Sequence, residues 1–192
     1  MAVGGTGILG GAFDPPHNGH VALAQAALEQ LDLARLLVLV VADPGHKKTS
    51  TPADIRLELV RLAFEGDPRI EVELDEHPRT VDSLEARELE DTVFVVGADE
   101  LVDFHTWKRP ERILELARLA AATRPGVPDA RVREAHAHLP APDRVSFFEI
   151  QPLAVSSALV RERIAHGEPV DDLVPPAVAE AVRRHKLYLA AE

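Results

Sequence analysis

Short apolar runs, alternating with amphipathic stretches, constrain this chain more than any other feature. Leu36-Leu37-Val38-Leu39-Val40-Val41 is apolar without interruption, and a strand with no polar face must be covered on both sides. Such runs alternating with helical periodicity predict a parallel sheet with helices on both faces. The expected fold is therefore α/β, a Rossmann-like doubly wound sheet, read as a single domain spanning 1–192.

Strands are predicted at about 7–11, 36–41, 70–74, 92–96, 119–123 and 145–150. After the first strand, Val21, Leu23, Ala24, Ala27, Leu28 and Leu31 recur at helical spacing, so a helix begins near Asn18. Thr51-Pro52-Ala53-Asp54 resembles an N-cap followed by proline at the first helical position, opening a helix to about Glu65. Further helices fit 81–89, 98–103, 110–117, 157–166 and 176–185, and 125–142 reads as a loop or short helix. In such sheets ligands sit beyond the carboxyl ends of the strands, near a switch point in strand order. Chemistry-bearing residues are therefore sought just after strands.

Composition narrows the function classes. There are no cysteines, which removes disulfide frameworks, thiolate zinc sites and cysteine nucleophiles, and makes a reducing cytoplasm the expected location. No apolar stretch approaches the ~20 residues of a membrane span, and the start of the chain lacks a basic leader, so a soluble protein without a membrane partner is expected. Lys plus Arg number 21 against 32 Asp plus Glu, a formal net charge of −11, which argues against a nucleic-acid partner. A small anion remains compatible with that balance if its pocket is locally basic. Self-association into a homo-oligomer is left open.

Gly5-Thr6-Gly7-Ile8-Leu9-Gly10 matches the G-x-G-x-x-G dinucleotide fingerprint letter for letter. Its context is wrong for a dehydrogenase, because the fingerprint should follow a strand and open a helix, whereas here the first strand runs through its second half. No G-x-x-x-x-G-K-[ST] phosphate loop occurs. The informative motif is Gly10-Gly11-Ala12-Phe13-Asp14-Pro15-Pro16-His17-Asn18-Gly19-His20. Gly10 and Gly11 remove side chains at a strand end, where a backbone can pass close to a ligand. Asp14-Pro15-Pro16 turns the chain and delivers His17 and His20 to a helix start, whose free N–H groups and dipole attract anions. Two imidazoles there can clamp a phosphate that gains charge in a transition state; hydrogen-bonding at the helix start and metal ligation are the alternatives.

This motif resembles the G-G-x-F-D-P-x-H-x-G-H signature of bacterial nicotinate-nucleotide adenylyltransferases, within the wider H-x-G-H nucleotidylyltransferase group. Similarity continues along the chain in Pro44-Gly45-His46-Lys47, Gly97-Ala98-Asp99, Thr106-Trp107-Lys108, Arg124-Pro125-Gly126, Ser156-Ser157-Ala158-Leu159-Val160-Arg161 and Val174-Pro175 through Leu187-Tyr188. The resemblance implies transfer of AMP from ATP to the phosphate of nicotinate mononucleotide in NAD biosynthesis, with pyrophosphate released. It implies that His17, His20 and Arg161 are catalytic, and that Gly10, Gly11, Ala12, Phe13, Gly19, Gly97, Asp99, Ser156 and Ser157 bind ATP. Lys47, Thr80, Trp107 and Arg124 would bind the acceptor, and residues from about 153 to 192 would complete the ATP site. Mg²⁺ would be held mainly by the ATP phosphates and water, with no protein metal site.

Bland alternatives stand beside several of these roles: Asp99 as a helix cap, Lys47 as a solvated loop lysine, Trp107 as core. Departures from the family pattern also occur. Pro78-Arg79-Thr80-Val81-Asp82-Ser83-Leu84 carries Arg79 where the family has tyrosine, and Ala158 stands where it has threonine. Three alternatives follow: a different acceptor phosphate such as nicotinamide mononucleotide or phosphopantetheine, a nucleotide-binding regulator without turnover, and, more remotely, a small class I synthetase-like protein.

Overall fold

A computed structural model of the chain describes residues 4–45, 49–123, 130–151 and 153–190. The six strands are β1 (Thr6–Gly11), β2 (Arg35–Val41), β3 (Ile70–Asp75), β4 (Thr92–Gly97), β5 (Arg118–Thr123) and β6 (Val145–Glu149). Each lies within one residue of its predicted bounds. All pair in parallel, in the order β3-β2-β1-β4-β5-β6. This is the doubly wound order whose direction reverses between β1 and β4.

The helices are α1 (Asn18–Gln30), α2 (Ala53–Ala63), α3 (Thr80–Arg87), α4 (Ala98–Asp103), α5 (Pro110–Leu116), α6 (Ala130–Ala137), α7 (Ser157–Ala165) and α8 (Pro176–Arg184). The part of 125–142 that is described thus contains a short helix. β2 shows why two covering layers are needed. Leu36, Val38 and Val40 enter one apolar layer with Ala27, Leu59, Val60, Val160 and Val178 from α1, α2, α7 and α8. Leu37 and Leu39 enter the opposite layer with Val81, Leu101, Ile113 and Val132 from α3, α4, α5 and α6. Alternate side chains of one strand leave opposite faces, so an uninterrupted apolar run feeds both layers.

One local expectation is corrected. Thr51 is not the cap of α2: Pro52 occupies the N-cap position and the helix starts at Ala53. The Thr51 hydroxyl instead donates to the Tyr188 hydroxyl at 2.9 Å. A bond spanning 137 residues outcompetes the local cap. Among the described residues, no helix is long and apolar enough to cross a membrane.

Candidate active site

Because every strand runs the same way, all six carboxyl ends share one edge of the sheet, and the residues after them gather there. Pairing of β1 with β4 reaches only from Thr6–Thr92 to Ile8–Phe94, whereas β1 follows β2 to Gly11. The two central strands therefore part toward that edge, opening a crevice at the switch point. Gly10 and Gly11 lie on one side of it and Gly97 on the other. The G-x-G-x-x-G letters lie largely within β1 and open no helix, as their context predicted.

The turn after β1 sits in a tight hydrogen-bond frame. Asp14 is buried, and its carboxylate accepts from the Ser50 N–H and from the Tyr188 hydroxyl, the latter at 2.7 Å. Its backbone carbonyl accepts from the Arg161 guanidinium at 2.6 Å. Ser157 Oγ donates to the Pro15 carbonyl at 2.8 Å. Asn18 reaches the segment after α7 twice, N–H to the Leu173 carbonyl at 2.9 Å and Nδ2 to the Asp172 carbonyl at 3.1 Å. The His17–His20 segment and the Ser156–Arg161 segment, about 140 residues apart in sequence, thus form one structure.

The two histidines lie at the helix start as expected, but they are not both helical. His17 is the N-cap of α1, in extended backbone, and only His20 is helical. Their rings stack with centroids 3.7 Å apart, and the Phe13 ring packs edge-on against His20 at 4.8 Å. His20 Nδ1 accepts the His17 N–H at 3.2 Å, which leaves the proton of a neutral His20 ring on Nε2. The pair is arranged as a reciprocal capping box, but only this half has full hydrogen-bond geometry. His17 Nδ1 is buried with no hydrogen-bond partner among the described residues. Burial also holds the His17 pKa down at about 4, so the ring is neutral near pH 7. Gly19 follows from this packing: a Cβ there would lie 3.0 Å from His17 Nδ1 and 3.1 Å from Val155 Cγ1.

Across the edge, Ser156 is the N-cap of α7 and its Oγ accepts from the Leu159 N–H at 3.1 Å. Ala158 is exposed. Asp99 is exposed in the first turn of α4, where Gly97 takes the cap position, so Asp99 is not the cap of that helix. Trp107 is half-buried. It packs edge-on to Phe94 at 6.0 Å and tilted to Phe104 at 5.3 Å, so a loop residue also serves the apolar layer. Thr80 opens α3. The Trp107 loop and the first turn of α5 are tied to α3 by Lys108 on Asp82 at 3.0 Å and by Arg109 and Arg112 on Glu85. These ion pairs are solvent-exposed and individually weak. Lys47 and Arg124 lie outside the described residues.

Sequence reasoning missed three residues. Arg56, 1 % exposed, donates to the carbonyls of Ala12, Val41, Ala42 and Thr51 at 2.6–3.0 Å. It stitches the β1 turn to the connection after β2. Desolvation lowers its pKa, against the pull of Asp14 and Tyr188. Tyr188 and the carboxylate of Asp14 are the other two; burial pushes the Tyr188 phenol well above the usual range. The available signals were a charged residue on the apolar face of α2, for Arg56, and membership of family-like segments, for Asp14 and Tyr188.

The crevice can bind an extended anion between two helix N-termini, α1 and α7, with imidazole and guanidinium beside them. Among the described residues, no group of three His, Cys, Asp or Glu could hold a metal ion. Such a fold and site define the cytidylyltransferase-like class, whose family profile matches residues 8–163. A protein of Thermomicrobium roseum named probable nicotinate-nucleotide adenylyltransferase is 38 % identical over 97 % of this chain and 92 % of its own. One from Thermus thermophilus, with the same name, is 40 % identical over 95 % of this chain and 98 % of its own. In fold, the Plasmodium falciparum nicotinic acid mononucleotide adenylyltransferase complexed with NaAD aligns at TM-score 0.74 and 18 % identity, over 95 % of this chain and 96 % of that one. The chain belongs to the nicotinate-nucleotide adenylyltransferase family.

Proposed function

We propose that the chain transfers AMP from ATP to the phosphate of nicotinate mononucleotide, forming nicotinate adenine dinucleotide for NAD biosynthesis. The observation that carries this reading is the joining of His17 and His20 to Ser157 and Arg161 around one turn, at the crevice between β1 and β4. The names of the relatives support the acceptor.

A phosphate oxygen of the mononucleotide attacks the α-phosphorus of ATP; the bond from that phosphorus to the bridging oxygen breaks, and pyrophosphate leaves with the electron pair. The nucleophile is already ionised, so no general base is required, and the protein supplies alignment and charge. His17 and His20 hold the phosphates. Anionic phosphate at His17 stabilises the imidazolium and counters the burial that otherwise keeps the ring neutral. Arg161, fixed by the Asp14 carbonyl, neutralises developing charge, and the α7 N-terminus with Ser156 and Ser157 offers further donors. Gly10, Gly11, Ala12, Phe13, Gly19, Gly97 and Asp99 line the nucleotide; Lys47, Thr80, Trp107 and Arg124 take the acceptor. Residues from about 153 onward complete the ATP site of a single catalytic unit, and a cytoplasmic location goes with this reading.

The donor set does not suit a resident Mg²⁺, which prefers a shell of oxygen ligands. Both oxygens of Asp14, the buried carboxylate of this frame, are already engaged by Ser50 and Tyr188. Mg²⁺ would accompany ATP as part of the substrate, held by phosphates and water, and would supply charge neutralisation there.

Incubation with ATP, Mg²⁺ and a panel of nicotinate mononucleotide, nicotinamide mononucleotide and phosphopantetheine, with products separated by chromatography, tests the proposal. Nicotinate adenine dinucleotide and pyrophosphate are expected, with kcat lower by about 10²–10³-fold in His17→Ala or His20→Ala. Product from another acceptor alone overturns the substrate assignment. ATP binding without product from any acceptor points to a nucleotide-binding regulator.

A further inference from the structure

Asp14 links the turn after β1 to α7, and one of its ties comes from the far end of the chain. After α8 the backbone turns through two left-handed residues, Lys186 at φ 52 and Tyr188 at φ 60. That conformation is disfavoured for side chains of this size and persists only where surrounding contacts over-determine it. Here it swings the Tyr188 phenol inward. The hydroxyl accepts from Thr51 Oγ at 2.9 Å and donates to Asp14 Oδ1 at 2.7 Å. The other carboxylate oxygen takes the Ser50 N–H. Arg56, bonded to the carbonyls of Ala12 and Thr51, encloses the same cluster. The backbone of Asp14 holds Arg161, and His17 follows three residues on.

We infer that Tyr188 is a positioning residue for the adenylyl transfer: its hydroxyl, donated to the buried Asp14 carboxylate, sets the turn that places His17 and Arg161. The inference rests on the function proposed above. Tyr188 touches no reacting atom; it acts through Asp14. Without its hydroxyl a buried carboxylate oxygen loses its donor, and the turn is free to settle elsewhere. Displacements well under an ångström at reacting groups cost rate more than ground-state binding, because alignment counts most in the transition state.

Tyr188→Phe removes one oxygen and leaves the ring. With the full chain, ATP, Mg²⁺ and nicotinate mononucleotide, kcat is expected to fall by about tenfold or more while the KM for ATP moves less than about threefold. Asp14→Asn combined with Tyr188→Phe is expected to be no slower than Asp14→Asn alone, since both act through one bond. Wild-type kcat and KM in folded Tyr188→Phe, or a change in melting temperature alone, overturns the inference. Should Tyr188→Phe not fold, Thr51→Val, which removes the donor that orients the phenol, carries the same comparison. If the unmodified chain turns over no acceptor, the function proposal has failed, and positioning is read from the His17 ring by NMR titration. A midpoint raised in Tyr188→Phe from about 4 toward the ordinary histidine value supports it, and an unmoved midpoint overturns it.

Discussion

His17 is a buried imidazole with an unbonded ring nitrogen at the mouth of a helix, an arrangement that costs stability and needs a ligand to repay it. Its pKa is near 4 in the fold and about 6.5 in an unfolded chain. Between those values the unfolded chain binds the extra proton, so stability rises with pH across that window. The neutral ring is tolerated fully above about pH 6.5, and the contribution is lost as pH falls toward 4. At pH 4.5 the loss is on the order of 2–3 kcal/mol. Denaturant titrations at pH 4.5 and 7.5 check this: wild type should lose that much more stability on acidification than His17→Asn. Equal losses in the two proteins would show a histidine that titrates as if exposed.

At the scale of elements, α7 has two tasks at its first turn. Ser156 caps the helix through the Leu159 N–H, while Ser157 ties it to the Pro15 carbonyl. A carboxylate also caps well and suits the helix dipole. It would repel a polyphosphate, however. Ser156→Asp is therefore expected to stay within about 0.5 kcal/mol of wild-type stability and to raise the KM for ATP at least about tenfold by like-charge repulsion. Retained stability with an unchanged KM would remove the α7 N-terminus from the phosphate path. The elements themselves were legible in the sequence because β2 and β4 are apolar on both faces and β3 alternates apolar with acidic residues, signals carried within six or seven residues. The site was half legible for the same reason. The His17 motif is local, and so is the run from Ser156 to Arg161. The Thr51 hydroxyl misled because its partner, Tyr188, lies far along the chain, and the role of Arg56 was hidden, though its charge on an apolar face was visible, because its four backbone-carbonyl partners leave no trace in side-chain pattern. Hydrogen bonds between distant segments have no periodicity to read.

On the scale of the whole molecule, charge and connectivity act together. The chain carries −11 overall, yet it is read as gathering two anionic substrates at a crevice whose positive character is local: two helix N-termini and Arg161, with the two imidazoles beside them as hydrogen-bonding groups. Uncomplexed ATP meets repulsion from the molecule's net charge, and Mg²⁺ reduces it by neutralising the phosphates. The crevice is also where β1, the connection after β2, α7 and the chain after α8 are bonded together. A ligand that binds only the folded state stabilises all of these at once, by about 2.7 kcal/mol at a hundred times its Kd. For a chain of this length that corresponds to a rise in Tm of roughly 5–10 °C. Thermal unfolding with saturating ATP and Mg²⁺ should show it, with a smaller rise when a chelator removes Mg²⁺ and little in His17→Ala. An equal rise with and without Mg²⁺ would mean that the local positive field alone overcomes the net charge. No rise under any of these conditions would contradict an ATP site built across these segments.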